Sequence, residues 1–431
     1  MTCDTDDYND PYKIDIYVKD GYQTGKFKGF FEKRLNALLD DEYFLLLYVP
    51  EDGGRMQVVR PASDSYHRKC MIKRINETKR GVPSFYYALS HLWGLKKDNR
   101  FLWKGIRKHV DDEEGRPMKP ISMRPEKRHT LLSMLRDHPD SYWWIDVLCA
   151  RTDTPLDIMG DIYACCLQCI AMIDCEPALI SNIHTKLEAV EEIKKLLKRK
   201  RRPYLTNKEL HQTKASQLID LLDTFFQSEW WQRVWTWQEM ALPYRNVSFM
   251  AEAETRRLHT TNTITTDDLE EFGSILISHI LYIMRHKLAP EYVGFETSDE
   301  VCNRLNDVYA ARACNAFRII MTRSETLYFV IGSLVSSNRR CYDPCDYVYG
   351  VLGAMQIKIP RMTDPNDVWR HFLSKLDDLA PLDSRRWMDY ADEIDLGEVE
   401  NIGVVYNELI QIGEVGKNVF RIMDAYLNEI S

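Results

Sequence analysis

The sequence predicts an α/β fold: a mostly parallel sheet flanked by helices, followed by a helical C-terminal region. Short aromatic-rich segments bounded by turn residues are typical of buried strands. One of these segments is followed by a helical pattern and then by another apolar run, and this alternation favours a parallel sheet. From residue 254 onward, apolar residues recur mainly at helical spacing.

The first 80 residues are predicted to form an N-terminal arm, with a short strand or helix at Tyr43–Val49. The first clear strand is Phe85–Ser90, closed by Trp93 and Gly94. A second strand is predicted at Tyr142–Leu148. We therefore expect the α/β domain to occupy residues 81–253 and the helical region to occupy residues 254–431.

The next segments supply the helices and remaining strands of the domain. Thr154 can cap a helix whose first residue is Pro155. The later elements are predicted in chain order as a strand at Leu167–Ile173, a helical insertion at 176–227, one continuous helix from Ser228 to Met240, a strand at Asn246–Met250, and helices at Asp267–Arg285, Asp299–Phe317 and Glu325–Ser336.

Charge and composition exclude several classes of protein. The net charge of −8 argues against a surface that coats nucleic acid. Residues 1–15 hold five aspartates and one lysine, unlike a targeting leader. The longest apolar run, Ile275–Met284, is shorter than the roughly 20 residues of a membrane span. Eleven cysteines, mostly in apolar surroundings, suit reduced thiols rather than a metal site. We expect a cytoplasmic protein with no membrane span, no metal and no tightly bound cofactor.

Three segments resemble, in order, the signature blocks of the fungal heterokaryon incompatibility (HET) domain: Tyr87–Gly94, Trp144–Cys149 and Arg233–Glu239. Met159–Ala164 fits the helix before the third block, and Asp343–Gly353 resembles an element downstream in longer members. The chain departs from the family where Ala150, Arg151 and Thr152 replace the usual Ile-Asn-Gln, and where His91 precedes Leu-Trp-Gly.

This resemblance implies a role in nonself recognition and regulated cell death when incompatible fungal cells fuse. The family is remotely similar to TIR domains, which have a flavodoxin-like fold and in several branches cleave NAD. Their catalytic Glu follows a Trp by four residues, the spacing of Trp235 and Glu239. The resemblance therefore implies an NAD glycohydrolase with Glu239 as its catalytic residue, NAD or a related nucleotide as substrate, and a homo-oligomer or a protein partner on activation.

The chemistry is compatible with one carboxylate. Breaking the nicotinamide–ribose bond releases neutral nicotinamide from a pyridinium, so the leaving group needs no acid. A carboxylate would stabilise the ribosyl cation or hold a ribose hydroxyl. The alternative is that Glu239 pairs with Arg233 or a backbone amide and only fixes its helix.

Further candidates lie where the predicted strands end. Asp146 can hold a ribose, Arg151 and Thr152 can meet phosphates at a helix N-terminus, and Trp93 with Gly94 can offer a stacking platform and a close backbone approach. Each also has a structural alternative in capping or core packing. The predicted nucleotide-binding residues are Ser90, Trp93, Gly94, Asp146, Arg151, Thr152 and Trp235.

Two alternatives to an enzyme remain open at the level of sequence. The first is a non-enzymatic signalling adaptor that acts through protein contacts, with a purely structural Trp-rich helix. The second is a chromatin-associated factor that uses the basic run at 194–202, with nuclear import through Lys198–Arg202. Glu188, Glu191 and Glu192 pair with this region at helical spacing and favour a solvated helix face instead. Nucleic acid is the least favoured partner.

Overall fold

The computed structural model describes residues 10–18, 24–93, 95–96, 99–198, 208–274, 299–319, 321–380, 386–390, 393–411, 415–419 and 421. The strands are β1 Leu46–Val49, β2 Met56–Val59, β3 Tyr86–His91, β4 Leu95–Lys96, β5 Asn99–Arg100, β6 Leu102–Trp103, β7 Val110–Asp111, β8 Ile121–Ser122, β9 Ser141–Ile145, β10 Gln168–Ile173, β11 Val247–Ala251 and β12 Ile264–Thr265.

Helices alternate with these strands along the chain, and the region after β12 is mainly helical. They are α1 Thr24–Asp40, α2 Ser65–Glu77, α3 Pro125–Arg136, α4 Asp146–Cys149, α5 Ile158–Cys165, α6 Pro177–Lys198, α7 Lys208–Phe226, α8 Glu229–Gln232, α9 Trp235–Ala241, α10 266–274, α11 Asp299–Arg318, α12 Arg323–Leu334, α13 Asp346–Tyr349, α14 Leu352–Met355, α15 Pro365–Leu379, α16 Ile402–Ile410 and α17 415–419.

Eight strands form one mixed sheet in the order β12-β11-β10-β3-β9-β1-β2-β7. Its four central strands, β11, β10, β3 and β9, are mutually parallel. Numbered along the chain, they run 2-1-3-4 across the sheet, which is the order of flavodoxin-like folds. The predicted α/β class, with its parallel core and helical C-terminal region, is confirmed.

The strands predicted at Phe85–Ser90, Leu167–Ile173 and Asn246–Met250 are confirmed as β3, β10 and β11, shifted by a residue at their ends. These strands are almost entirely buried, because helices cover a parallel sheet on both faces. The helices α11 and α12 also match their predicted spans. The helix predicted at Asp267–Arg285 is seen over 266–274, and residues 275–298 lie outside the described part.

The first 80 residues differ from the irregular arm predicted from the sequence. Here β1 pairs antiparallel with both β9 and β2, and α1 packs against α5. The predicted strand or helix at Tyr43–Val49 is therefore a sheet strand, with Leu46 and Leu47 fully buried. Pairing with β9 covers what would otherwise be an open sheet edge, a tertiary effect with no local signal.

Two predicted helices have different boundaries in the structure. The helix expected at Pro155 begins at Ile158, because Thr154 Oγ1 accepts the Arg151 amide at 2.8 Å and closes a turn instead of capping a helix. The continuous helix expected from Ser228 to Met240 is broken at Arg233, which has extended backbone angles of φ −88° and ψ 139°. The short helices α8 and α9 lie on either side of this break.

The insertion predicted at 176–227 holds α6 and α7, and Arg199–Arg202 of the basic run lie outside the described residues. None of the helices in the described ranges combines the length and apolar character required to span a bilayer. In the same ranges, no three His, Cys, Asp or Glu side chains are grouped to hold a metal.

Candidate functional site

The candidate site lies at the carboxyl ends of β3 and β10, which are neighbours in the sheet. From β3 the chain continues to β9 on one side, and from β10 it continues to β11 on the other. This reversal of direction is a topological switch point, where α/β sheets bind ligands. Polar side chains from β3, α4, α9 and the loops beside them gather at this edge.

Glu239 reaches this edge from α9 and is 9% exposed. Its Oε2 accepts a hydrogen bond from the Ser90 hydroxyl at the end of β3. Ser90 Oγ in turn accepts the Trp230 indole N–H at 2.8 Å. Ser90 and Glu239 are 149 residues apart in the chain, so only the fold brings these two predicted residues together.

Burial raises the pKa of Glu239 to about 7, because the surroundings solvate its charged form poorly. The charge of Asp146 acts in the same direction. Hydrogen bonds from Ser90 and from the Tyr163 side chain, together with the charge of Arg233, oppose this rise. Glu239 can therefore exchange a proton near neutral pH, a property typical of catalytic carboxyl groups.

Asp146 connects β9 to the loop after β3. Its Oδ1 lies 2.9 Å from His91 Nε2, and its Oδ2 accepts the Trp93 indole N–H. Burial alone would raise the pKa of Asp146, but the charge and hydrogen bond of His91 and the hydrogen bond of Trp93 lower it. Asp146 is thus an ionised carboxylate, and its charge acts on Glu239, whose pKa is higher. Trp93 is 40% exposed, so part of this aromatic residue is open to solvent beside Asp146.

A second buried polar group, Lys127, supports the same loop. Its ammonium donates to the Leu92 carbonyl and lies 3.4 Å from Glu252 Oε2, just beyond β11. Burial lowers the pKa of Lys127 to about 8, against the opposing charge of Glu252. Arg124 also pairs with Glu252, at 2.9 Å. The backbone leading to Trp93 is therefore fixed by a buried cation.

Trp235 stands one helical turn before Glu239 on α9 and is partly buried. Its side chain hydrogen-bonds to Asp346 of α13. Burial raises the pKa of Asp346 to about 6, while Trp235 and the charge of Arg233 oppose the rise. Arg233 therefore acts electrostatically on two carboxyl groups, Glu239 and Asp346. The fold brings the downstream element of the sequence, Asp343–Gly353, onto the start of α9.

The remaining predicted residues lie apart from Glu239 or outside the description. Arg151 pairs with Glu113 and donates to the carbonyls of Leu148 and Ala150. Thr152 is exposed, and its carbonyl accepts from Arg361. The structure thus commits the Arg151 guanidinium to protein partners, and a phosphate role for either residue stays a prediction. Gly94 lies outside the described residues.

Residues 86–239 match the family model described as heterokaryon incompatibility protein (HET). Over this segment, the HET segment, the chain is similar to the HET domain. The match spans the three signature blocks and ends at Glu239, so α13 and the Asp343–Gly353 element lie beyond it. No curated protein matches the chain, and no solved structure does so either.

Sequence reasoning about this HET segment missed several residues that the fold brings to the site. His91 and Tyr163 fall within recognised blocks, yet nothing in their spacing points to Asp146 or Glu239. Asp346 belongs to a recognised element, but its contact with Trp235 crosses 111 positions of the chain. The chemical result is an ionised carboxylate, Asp146, whose charge acts on a second carboxyl group, Glu239, with a pKa of about 7, and this combination suits acid–base or cation-stabilising chemistry.

Proposed function

We propose that this protein acts in nonself-triggered cell death by cleaving NAD at its nicotinamide–ribose bond, with Glu239 as the catalytic carboxylate. The observation that carries the proposal is the position of Glu239: buried, bonded to Ser90, and at the carboxyl edge of the parallel strands. The flavodoxin-like strand order supports a nucleotide at this edge. The match to the HET family model supports the cellular role.

In this mechanism the nicotinamide–ribose bond breaks with its electron pair going to nicotinamide, and the ionised form of Glu239 stabilises the ribosyl cation that remains. Water then adds to this cation and releases a proton, which gives ADP-ribose. Asp146 adds a second negative charge, kept ionised by His91. The exposed face of Trp93 offers a stacking surface for the nicotinamide or adenine ring. Because the pKa of Glu239 is about 7, cleavage is expected to rise with pH through neutrality.

The test compares the purified chain with Glu239→Gln, following NAD and nicotinamide by chromatography in dilute and in concentrated or oligomerised samples. The matched control is Glu270→Gln, since burial also raises the pKa of Glu270 to about 7 but its partner is Arg312, 3.9 Å away. We expect turnover in the wild type and in the control, and its loss in Glu239→Gln. The enzyme proposal would be removed if Glu239→Gln and Glu270→Gln turned NAD over equally, or if neither the wild type nor any variant cleaved NAD.

The second candidate is a non-enzymatic adaptor, favoured by one observation. Glu239 already has hydrogen-bond partners in Ser90 and Tyr163, as a purely structural buried acid would. An adaptor predicts that toxicity on expression in a fungal host persists in Glu239→Gln. The enzyme predicts that toxicity and NAD depletion disappear together in this variant.

A further inference from the structure

A segment beyond residue 239 forms backbone hydrogen bonds with the break between α8 and α9. Arg340 donates its amide to the Gln232 carbonyl at 2.6 Å, and its own carbonyl accepts the Val234 amide at 3.0 Å. The chain at Arg340 therefore runs beside Arg233 like a short parallel strand. These bonds replace the helical bonds that a continuous α8–α9 helix would make.

Arg339 supplies the side chain that fills this break, and it is completely buried. Its Nη1 donates to the Thr236 hydroxyl at 2.6 Å and to the Arg233 carbonyl at 3.2 Å. The guanidinium also lies 5.7 Å and 5.6 Å from the ring centres of Trp230 and Trp231. One cation thus contacts both helices and the residue between them.

The charge of Arg339 is balanced by Asp307 of α11, whose Oδ2 lies 3.2 Å from Arg339 Nε. Both side chains are almost fully buried, so loss of one would leave the other uncompensated. Arg304, one turn earlier on α11, donates to the Trp231 carbonyl at 3.0 Å and to Glu300 Oε1 at 2.9 Å. The helical region is thereby anchored to the segment that carries Glu239.

We propose that Arg339 is a positioning residue for Glu239: by holding the break at Arg233 and Thr236, it fixes α9 so that the Glu239 carboxyl stays buried against Ser90. The effect of Arg339 on catalysis rests on the function proposed above. Its effect on the position of Glu239 is independent of that function. It follows that the HET segment 86–239 needs residues near 339 to form its site.

The test uses a charge-balanced pair, Arg339→Met with Asp307→Leu, so that no buried charge is left without a partner. The groups that act on Glu239 are Ser90, Tyr163, Asp146, Arg233, Cys169 and Arg339. Of these groups only Arg339 is replaced in this variant, and loss of its positive charge would by itself raise the pKa of Glu239. A fall in the titration midpoint of Glu239 therefore reports greater solvent exposure of its carboxyl group.

The titration of Glu239 is measured as the difference in unfolding free energy between each protein and its Glu239→Gln derivative from pH 4 to 9. In the double variant we expect the midpoint to fall by about one pH unit or more toward the ordinary value for Glu. Arg304→Met is the matched control, because it removes a buried arginine from the same helix interface, and its midpoint should stay unchanged. Arg339→Lys, which keeps the charge with fewer bonds, should give an intermediate midpoint.

If the wild type cleaves NAD, the double variant should also lose about tenfold or more in kcat with little change in KM, since a small misplacement of a catalytic group is costly. If the double variant had the same titration midpoint and kcat as Arg304→Met, the positioning role of Arg339 would be overturned, while the proposed NAD cleavage would still stand. Absence of NAD cleavage in the wild type would remove the proposed function, and the pH midpoint would still decide the role of Arg339.

Discussion

At Glu239, burial and hydrogen bonding act on the pKa in opposite directions, and burial is the larger effect. The folded pKa of about 7 lies above the ordinary value of 4.5, so the folded state binds the proton more tightly than the unfolded state. By linkage, stability falls as pH rises from about 4.5 through 7. Burial of Glu239 therefore lowers the stability of the protein at neutral pH and gives it a carboxyl group that titrates near that pH.

Glu239→Gln should therefore stabilise the protein at pH 8 by about 3–4 kcal/mol, at about 1.4 kcal/mol per pH unit of displacement, and have little effect at pH 4. Urea unfolding at the two pH values measures this. Glu254→Gln should act in the opposite sense at pH 8, because Arg256 lowers the pKa of Glu254 and its charge stabilises the fold. A Glu239→Gln variant that is less stable at pH 8 would contradict the burial argument.

Ser90 is the shared partner of two buried groups, the Glu239 carboxyl and the Trp230 indole. Ser90→Ala leaves both without that bond, and an unsatisfied buried polar group costs about 1–3 kcal/mol. We expect a loss of stability of at least this size in urea unfolding. The exposed Ser63→Ala serves as control and should be nearly neutral; equal effects at both serines would show that the bonds of Ser90 contribute little.

Among the elements, α5 and α14 meet at a glycine pair. A Cβ added to Gly160 would lie 2.4 Å from the Cα of Gly353, closer than any stable contact. These two helices can approach only because both positions lack a side chain. The contact joins the HET segment to the downstream element that also carries Asp346.

Gly160→Ala should push these helices apart and lower the unfolding free energy by about 1–3 kcal/mol, the usual cost of overpacking. Gly29→Ala is the matched control, since Gly29 lies on α1 with nothing within 4 Å of its added Cβ. In that open helical position alanine should stabilise by about 0.5–1 kcal/mol. Thermal unfolding of both variants measures whether each substitution raises or lowers stability. A Gly160→Ala variant as stable as the wild type would refute the close approach of the two helices.

At the scale of the whole molecule, the large sheet includes strands that lie outside the residues matched by the HET model. Of the eight strands of the large sheet, β3, β7, β9 and β10 lie within residues 86–239, whereas β1, β2, β11 and β12 lie outside, as does Arg339. Removing those strands would expose the backbone of β9 and β10 along two sheet edges. Arg304 and Arg339 of the helical region contact the Trp231 carbonyl and the Thr236 hydroxyl, and so we expect this region to fold together with the segment at 86–239.

A fragment limited to residues 86–239 is accordingly expected to aggregate or to lack a cooperative unfolding transition. The full chain should remain soluble and unfold cooperatively under the same conditions. Expression, sedimentation and thermal unfolding of the two proteins provide the comparison. A soluble fragment that unfolds cooperatively would show that the flanking strands and Arg339 are dispensable for folding.

The sequence by itself determined the α/β class, the strands β3, β10 and β11, and the similarity of residues 86–239 to the HET domain, because apolar runs, helical periodicity and short motifs are local patterns. Tertiary structure alone decided the entry of β1 into the sheet, the break at Arg233, and the meeting of Ser90 with Glu239 and of Trp235 with Asp346. A helix-forming sequence was interrupted at Arg233 because backbone bonds to Arg340 replaced its own. Such pairings depend on which buried surfaces meet across distant parts of the chain, and no local pattern records that choice.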